Sequence, residues 1–284
     1  MNILIKILFV IIIVPLAGGI LAGLDRKVTA RMQARKGPPL LQPFYDVFKL
    51  LQKENLVVRC SQNFYIYYFL FFVIFTVVLF FTGGDLLLVI FALALAGIFF
   101  VLAGFKASSP YSLIGAQREL LQIVSYEPAV ILVAAGMYVV TKSFYVAQII
   151  AFDQPLIKFL PGIFFAFLYI LAMKLRKSPF DLSTSHHAHQ ELVKGITTEF
   201  SGRALAAIEI AHWYENILIM GLVYLFFASN IAFGIILTLA VYFLMMLVDN
   251  TFARFKWQHA LGSSWLVALI CGIGNIIILV ALKR

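Results

Sequence analysis

Phe64 to Gly104 reads FYIYYFLFFVIFTVVLFFTGGDLLLVIFALALAGIFFVLAG, two long apolar runs joined at Thr82-Gly83-Gly84, with Asp85 as the only charged side chain. Each run exceeds the ~18 apolar residues that mark a membrane-spanning helix. A tight Gly-Gly connection makes the pair a helical hairpin. Similar runs recur along the 284 residues, which are 63% hydrophobic and only 12% charged, with a mean hydropathy of +0.99. A soluble domain of this length would carry about twice the charge. The expected fold is therefore an all-α polytopic membrane protein, one membrane domain over 1–284. About eight helices are expected, near 3–22, 64–82, 85–104, 118–141, 156–174, 203–228, 231–250 and 260–282.

The basic residues set the expected topology. Eight lie in the connection 23–63, two in 105–118, five in 174–203 and two in 251–259, seventeen of the twenty-two Lys and Arg. Positive charge accumulates on the cytoplasmic side. The four larger connections are thus expected in the cytoplasm and both termini outside. Ile3 to Leu21 is too long and too uniformly apolar for a typical signal peptide and reads as a retained first helix. The net charge of +9 is accounted for by this asymmetry and does not call for a nucleic-acid partner. Cys60 and Cys271 stand far apart and form no C-x-x-C pair, so the chain is not expected to hold an iron–sulfur cluster.

Two connections carry patterns of their own. In 23–63, Pro38-Pro39 and Pro43 predict extended chain, and Phe44, Val47, Phe48, Leu50 and Leu51 then predict an amphipathic helix lying along the interface or under a partner. In 174–203, the stretch RKSPFDLSTSHHAHQELVKGITTEFSG concentrates Asp181, His186, His187, His189, Glu191 and Glu199. Its histidine spacing fits neither H-E-x-x-H nor a zinc ribbon. Proton uptake or partner contact suits it better than a metal site.

Ionisable side chains inside membrane helices are costly unless paired, hydrated or functional. Glu119, Gln122 and Tyr126 share one helical face, and Glu127 follows about 12 Å beyond Glu119 along the axis. Pro128 directly follows Glu127, so helix distortion there is expected to open backbone groups to water near that carboxylate. Glu209, His212 and Glu215, in successive steps of three, form a polar track round another helix. Carboxylates and imidazoles suit proton transfer, because each can exchange a proton when its surroundings shift it toward neutrality. Interhelical hydrogen bonding is the bland alternative for these groups. Asp249, five residues before Arg254, reads as an interfacial charge.

Three stretches taken together resemble a known family: RKVTARMQARKGPPLLQPFYDVFKLLQKE (Arg26 to Glu54), GAQRELLQIVSYEP (Gly115 to Pro128) and SPFDLSTSHHAHQELVKGITTEFSG (Ser178 to Gly202). The family includes the quinone-site membrane subunit of respiratory complex I and its counterparts in membrane-bound group 4 [NiFe] hydrogenases. The QARKGPP form, the STSHHAHQELVKG run and Asp25 are similar to the energy-converting, Ech-type branch. Complex I subunits usually show QxRxGPN, an acidic Pro-Glu-Ala-Glu stretch and Glu at those places.

The resemblance implies a role. Hydrogenase large and small subunits, holding the [NiFe] centre and [4Fe-4S] clusters, would sit on loops 23–63 and 174–203 and take electrons from ferredoxin. An antiporter-like membrane subunit would lie alongside in the plasma membrane of a bacterium or archaeon. This chain would hold no cofactor, metal or catalytic residue of its own. Glu119, Glu127, Asp181, Glu191, Glu199, Glu209, His212 and Glu215 would carry or transmit ion translocation. The peripheral arm would rest on Arg26, Lys27, Arg31, Arg35, Lys36, Asp46, Lys49, Lys53, Glu54, His186, His187 and His189. The alternatives are a quinone-reducing complex I subunit and a stand-alone transporter, although halves 1–142 and 143–284 show no duplication.

Overall fold

The computed structural model describes residues 3–54, 60–180, 194–255 and 257–282. Among them the regular structure is helical, apart from one isolated bridge between Asp85 and Tyr145. In chain order the helices are α1 (Ile3–Met32), α2 (Gln42–Gln52), α3 (Cys60–Phe81), α4 (Leu86–Lys106), α5 (Pro110–Thr141), α6 (Val146–Ile150), α7 (Pro161–Lys174), α8 (Gly202–Leu225), α9 (Ile231–Thr251), α10 (Trp257–Val267) and α11 (Gly274–Leu282). A π-helical stretch, Ala268–Ile273, joins the last two. An apolar solvent leaves backbone groups no water to bond, which is why spans of this composition fold as helices.

Six described spans are long and apolar enough to cross a membrane: Leu4–Met32, Ser61–Phe81, Leu86–Lys106, Pro110–Thr141, Ile231–Thr251 and Gln258–Ala281. Their outward rows are greasy. On α9, Ile231, Ile235, Ile236, Leu239 and Phe243 are all about half exposed or more, an area that only lipid or another subunit can cover. Of the eight expected helices, the two outside this set are the shorter α7 and α8, a 24-residue helix with Arg203, Glu209, His212 and Glu215 along it.

Several boundaries differ from expectation for identifiable reasons. α1 continues to Met32, ten residues past the apolar run, because helical bonding does not stop where hydropathy does. It ends where Ala34 (φ 57°) and Gly37 (φ 72°) take left-handed conformations ahead of Pro38-Pro39. α5 starts at Pro110, in keeping with the fitness of proline for the first helical position. The helix expected over 156–174 begins only at Pro161, preceded by α6 and a 3-10 turn, Leu156–Lys158. Pro155 and Pro161 break it. Asp85 caps α4 by accepting from the backbone N–H of Leu87 (2.7 Å) and Leu88 (3.2 Å). Such a cap contributes about 1 kcal/mol.

The chain divides into two compact units. One comprises Met1–Val78, Ala92–Leu120 and Asp181–Ile217; the other comprises Leu79–Phe91, Leu121–Phe180 and Leu218–Arg284.

Candidate functional site

In the first unit, α2 is fastened to α1 and α8. Phe44, Val47 and Leu50 pack with Ala22, Ala206, Ile210 and Trp213, and the Phe44 and Trp213 rings lie 5.1 Å apart. Gly23 allows Leu40 to run close against α1, where a Cβ would collide with the Leu40 carbonyl. Arg26 Nη1 donates to Asp46 Oδ2 at 2.7 Å, and Gln42 Nε2 donates to Asp46 Oδ1 at 2.9 Å. Burial alone would raise the Asp46 carboxyl. The hydrogen bonds from Arg26 and Gln42, with the charges of Arg26 and Lys49, outweigh it and hold the group below its ordinary value. Asp46, expected at the partner interface, thus ties α2 down within the chain. The opposite face of α2 presents Leu41, Tyr45, Phe48 and Leu51 outward. Arg31, Arg35, Lys36, Lys49, Lys53 and Glu54 are exposed, and Lys27 is partly covered.

The same unit holds the α8 track. His212 Nδ1 lies 3.1 Å from Glu215 Oε2, and both side chains are mostly buried. The edges of Phe69 and Phe100 meet the imidazole at ring-centre distances of 5.9 and 5.8 Å. The carboxylate on one nitrogen and the two flanking rings hold the imidazole in one orientation. Glu209 is half-buried one turn earlier. Next in α8, the Tyr214 hydroxyl donates to the Ile11 carbonyl of α1 at 2.6 Å.

Residues 195–200 follow the histidine-rich stretch and are clamped by three helices. Ser112 Oγ of α5 donates to the Ile196 carbonyl at 3.3 Å, and Gln62 Nε2 of α3 donates to the Glu199 carbonyl at 3.4 Å. Gly115 admits the Ile196 backbone to a distance no Cβ would tolerate, and the Ile196 side chain lies against Gly104. Ile196 is completely buried. Glu119, on α5 one turn after Gly115, is only 5% exposed, and Glu199 is half-buried. The clamp therefore sets the backbone of Glu199 firmly within the unit that also contains Glu119.

In the second unit, Gln122 and Tyr126 turn inward from α5. Gln122 Nε2 donates to the Met173 carbonyl at 2.8 Å, and the Lys174 ammonium rests 3.7 Å from the centre of the Tyr126 ring. Glu127 is half-buried and feels the charge of Lys174. α5 runs unbroken through Pro128. The carbonyl deprived of its donor there is that of Val124, and the Trp265 indole N–H supplies the bond at 3.1 Å. The backbone opening expected beside Glu127 is thus closed by a side chain from α10.

Asp249, expected as an interfacial charge, accepts from Lys177 Nζ (3.4 Å) and from the Ser178 backbone N–H (2.9 Å). Lys177 is only 6% exposed. Ser178 Oγ donates to the Phe252 carbonyl, and the Phe255 N–H donates to Pro179. The 177–180 segment leading into the histidine-rich stretch is thereby anchored to α9 and the residues after it.

Asp181, His186, His187, His189 and Glu191 lie outside the described residues. Among the described residues no three His, Cys, Asp or Glu side chains gather as metal ligands. Sequence reasoning missed Lys174, Lys177 and Trp265. The two lysines count as loop charges in a topology tally, and an indole near a helix end reads as belt aromatic. The signal available for Trp265 was Pro128, which demands a donor from elsewhere.

The described residues thus form a many-helix, membrane-type chain with carboxylates and an imidazole inside and an amphipathic helix folded back onto its first helix. By sequence it belongs to the NADH dehydrogenase family, matched over residues 5–280. It is 28% identical to an NADH-quinone oxidoreductase subunit of Syntrophotalea carbinolica, over 90% of this chain and 88% of that protein. It is 26% identical to hydrogenase-4 component C of Escherichia coli K12, over 86% of each. Its fold matches a chain of the archaeal membrane-bound sulfane sulfur reductase with a TM-score of 0.85 and 26% identity, covering 97% of this chain and all of that one. The chain is therefore a membrane subunit of the complex I-like and hydrogenase-4 class of complexes, homologous to the complex I quinone-site subunit.

Proposed function

We propose that this chain is the membrane-anchoring and ion-coupling subunit of an energy-converting [NiFe] hydrogenase. In this reading it links ferredoxin-dependent proton reduction in a peripheral arm to translocation of H⁺ or Na⁺. The observation that carries the coupling role is the His212–Glu215 pair, held at 3.1 Å inside an apolar helix bundle between two phenylalanines. Titratable pairs are expensive in membranes and are retained where protons or ions move. Glu119, Glu127, Glu199 and Glu209 extend the set of internal carboxylates, and Asp181 and Glu191 belong to it by resemblance. The likeness to hydrogenase-4 component C and the QARKGPP and STSHHAHQELVKG forms favour the hydrogenase branch.

The [NiFe] centre and [4Fe-4S] clusters belong to the large and small subunits of the arm. Those would dock on the exposed face of α2, on the basic residues Arg31, Arg35, Lys36, Lys49 and Lys53, and on the 181–193 stretch, in the cytoplasm beneath the cell membrane. An antiporter-like subunit would cover part of the lipid-facing surface. Similarity to the Syntrophotalea NADH-quinone oxidoreductase protein favours a second reading, a quinone-reducing complex.

Purification of the tagged chain in mild detergent, with identification of its companions and a nickel and iron assay, separates the two. Nickel, a cluster-bearing small subunit and ferredoxin-dependent hydrogen evolution are expected. Flavin, quinone and NADH-oxidising subunits without nickel would replace the hydrogenase reading with the second one.

A further inference from the structure

In the unit that contains 121–180 and 218–284, one cation lies over a ring whose neighbour along the same helix is a carboxylate. Lys174, the last residue of α7, places its ammonium over the Tyr126 ring at 3.7 Å. The same charge acts on the carboxylate of Glu127, the next residue along α5. Tyr126 is 9% exposed, and Lys174 and Glu127 are half-buried. One turn before Tyr126, Gln122 is 2% exposed. Its amide nitrogen is committed to the Met173 carbonyl, and its Oε1 is buried with no hydrogen-bond partner among the described residues. A buried amide oxygen in that condition calls for an internal water. Lys177, the next cation along the chain after Arg176, is held by Asp249.

An ammonium over an aromatic face gains about 0.5–2 kcal/mol, depending on how dry the site is. An ionised carboxylate in the same surroundings attracts it more strongly, and a neutral carboxylic acid does not. The relative depth of the two seats is therefore decided by whether Glu127 carries a proton.

We propose that Lys174 is a mobile counterion that pairs with Glu127 while that carboxylate is ionised and withdraws onto the Tyr126 ring when Glu127 takes up a proton. Lys174 keeps its own protons throughout. One proton arrives at a Glu127 carboxylate oxygen, and the ammonium moves between seats without bond breakage. Gln122 Oε1 binds the water that hydrates the ammonium along the way. The α5–α7 contact thereby registers each proton that reaches Glu127, and Lys174 is a positioning residue for ion coupling. This inference rests on the ion-coupling reading above.

The test uses inverted membrane vesicles carrying the whole complex and driven by reduced ferredoxin. It follows the quench of a pH-sensitive acridine dye and radioactive sodium uptake, each divided by hydrogen evolved. Lys174→Gln is expected to lower ion uptake per hydrogen at least about fivefold, whereas Lys174→Arg and Tyr126→Phe, which keep the charge and the ring, retain it. If wild-type vesicles couple and Lys174→Gln couples equally well, the counterion role is overturned while the ion-coupling reading stands. If wild-type vesicles evolve hydrogen with no uptake of either ion, the ion-coupling reading itself falls, and the counterion role with it. Should Lys174→Gln fail to assemble, the exchange Glu127→Lys/Lys174→Glu decides. Recovery of assembly in the exchanged pair supports a direct pairing, and continued failure overturns it.

Discussion

Replacing Trp265 by Phe probes the repair of α5 beneath Glu127. Pro128 lacks the N–H that would bond the Val124 carbonyl, and the Trp265 indole provides the substitute bond at 3.1 Å. Phenylalanine keeps an aromatic ring on a side chain that is 43% exposed, so the donor is the main thing lost. Hydrogen bonds between membrane helices contribute about 0.6 kcal/mol on average and up to about 1.7. A carbonyl left without any donor adds a penalty of about 1 kcal/mol or more. The expected loss is about 1 kcal/mol, or roughly 2–4 °C in melting temperature by the scaling for soluble domains of comparable size. Pro128→Ala restores the missing N–H and supplies the bond from within α5. In that background Trp265→Phe should cost close to nothing beyond its small loss of area. The assay is a double-mutant cycle read by thermal unfolding in mild detergent, with a coupling of about 1 kcal/mol expected. Equal destabilisation by Trp265→Phe in both backgrounds would refute the claim that the indole replaces the proline's absent donor.

Other outcomes follow from the same structure. Asp249→Ala removes the carboxylate that faces Lys177, a side chain only 6% exposed. Breaking a buried pair costs about 3–5 kcal/mol; with Asp249 itself 29% exposed, about 2 kcal/mol is expected, and Lys177→Met/Asp249→Leu should melt above the Asp249→Ala single variant. Gly115→Val places a side chain on the Ile196 backbone. Overpacking of this kind costs about 1–3 kcal/mol, and protease cleavage near Lys194 should rise; an unchanged digest would count against the clamp. Because the Asp46 carboxyl is held low in the folded chain, its tie to Arg26 adds stability above the ordinary carboxylate range. That contribution fades as pH drops below about 4. Proteolysis at the α1–α2 connection should therefore increase on acidification, and Arg26→Gln should flatten that dependence. Glu127→Gln and Glu199→Gln are expected to lower ion uptake per hydrogen evolved, and unchanged coupling in both would remove them from the path.

Amino-acid composition and periodicity by themselves determined the helical membrane class, the Thr82-Gly83-Gly84 hairpin, the amphipathic helix after Pro43 and the presence of ionisable groups inside the spans. They did so because hydrocarbon admits only backbone that bonds to itself, and because helical spacing is a local property of the chain. The three quoted motifs also pointed to the family. Pairing was not legible in this way. His212 finding Glu215 is local and could be anticipated from a step of three. Asp249 finding Lys177, seventy-two residues away, could not, and neither could Trp265 reaching Val124 or Lys174 settling on Tyr126. Lysines at the end of α7 look like loop charges until packing shows that they turn inward. The internal tie of Asp46 was likewise set by the fold-back of α2 onto α1, which brings Arg26 within 2.7 Å. Which side chains face one another across helices depends on rotation and close approach at small residues such as Gly23 and Gly115, and only the assembled tertiary structure decides that.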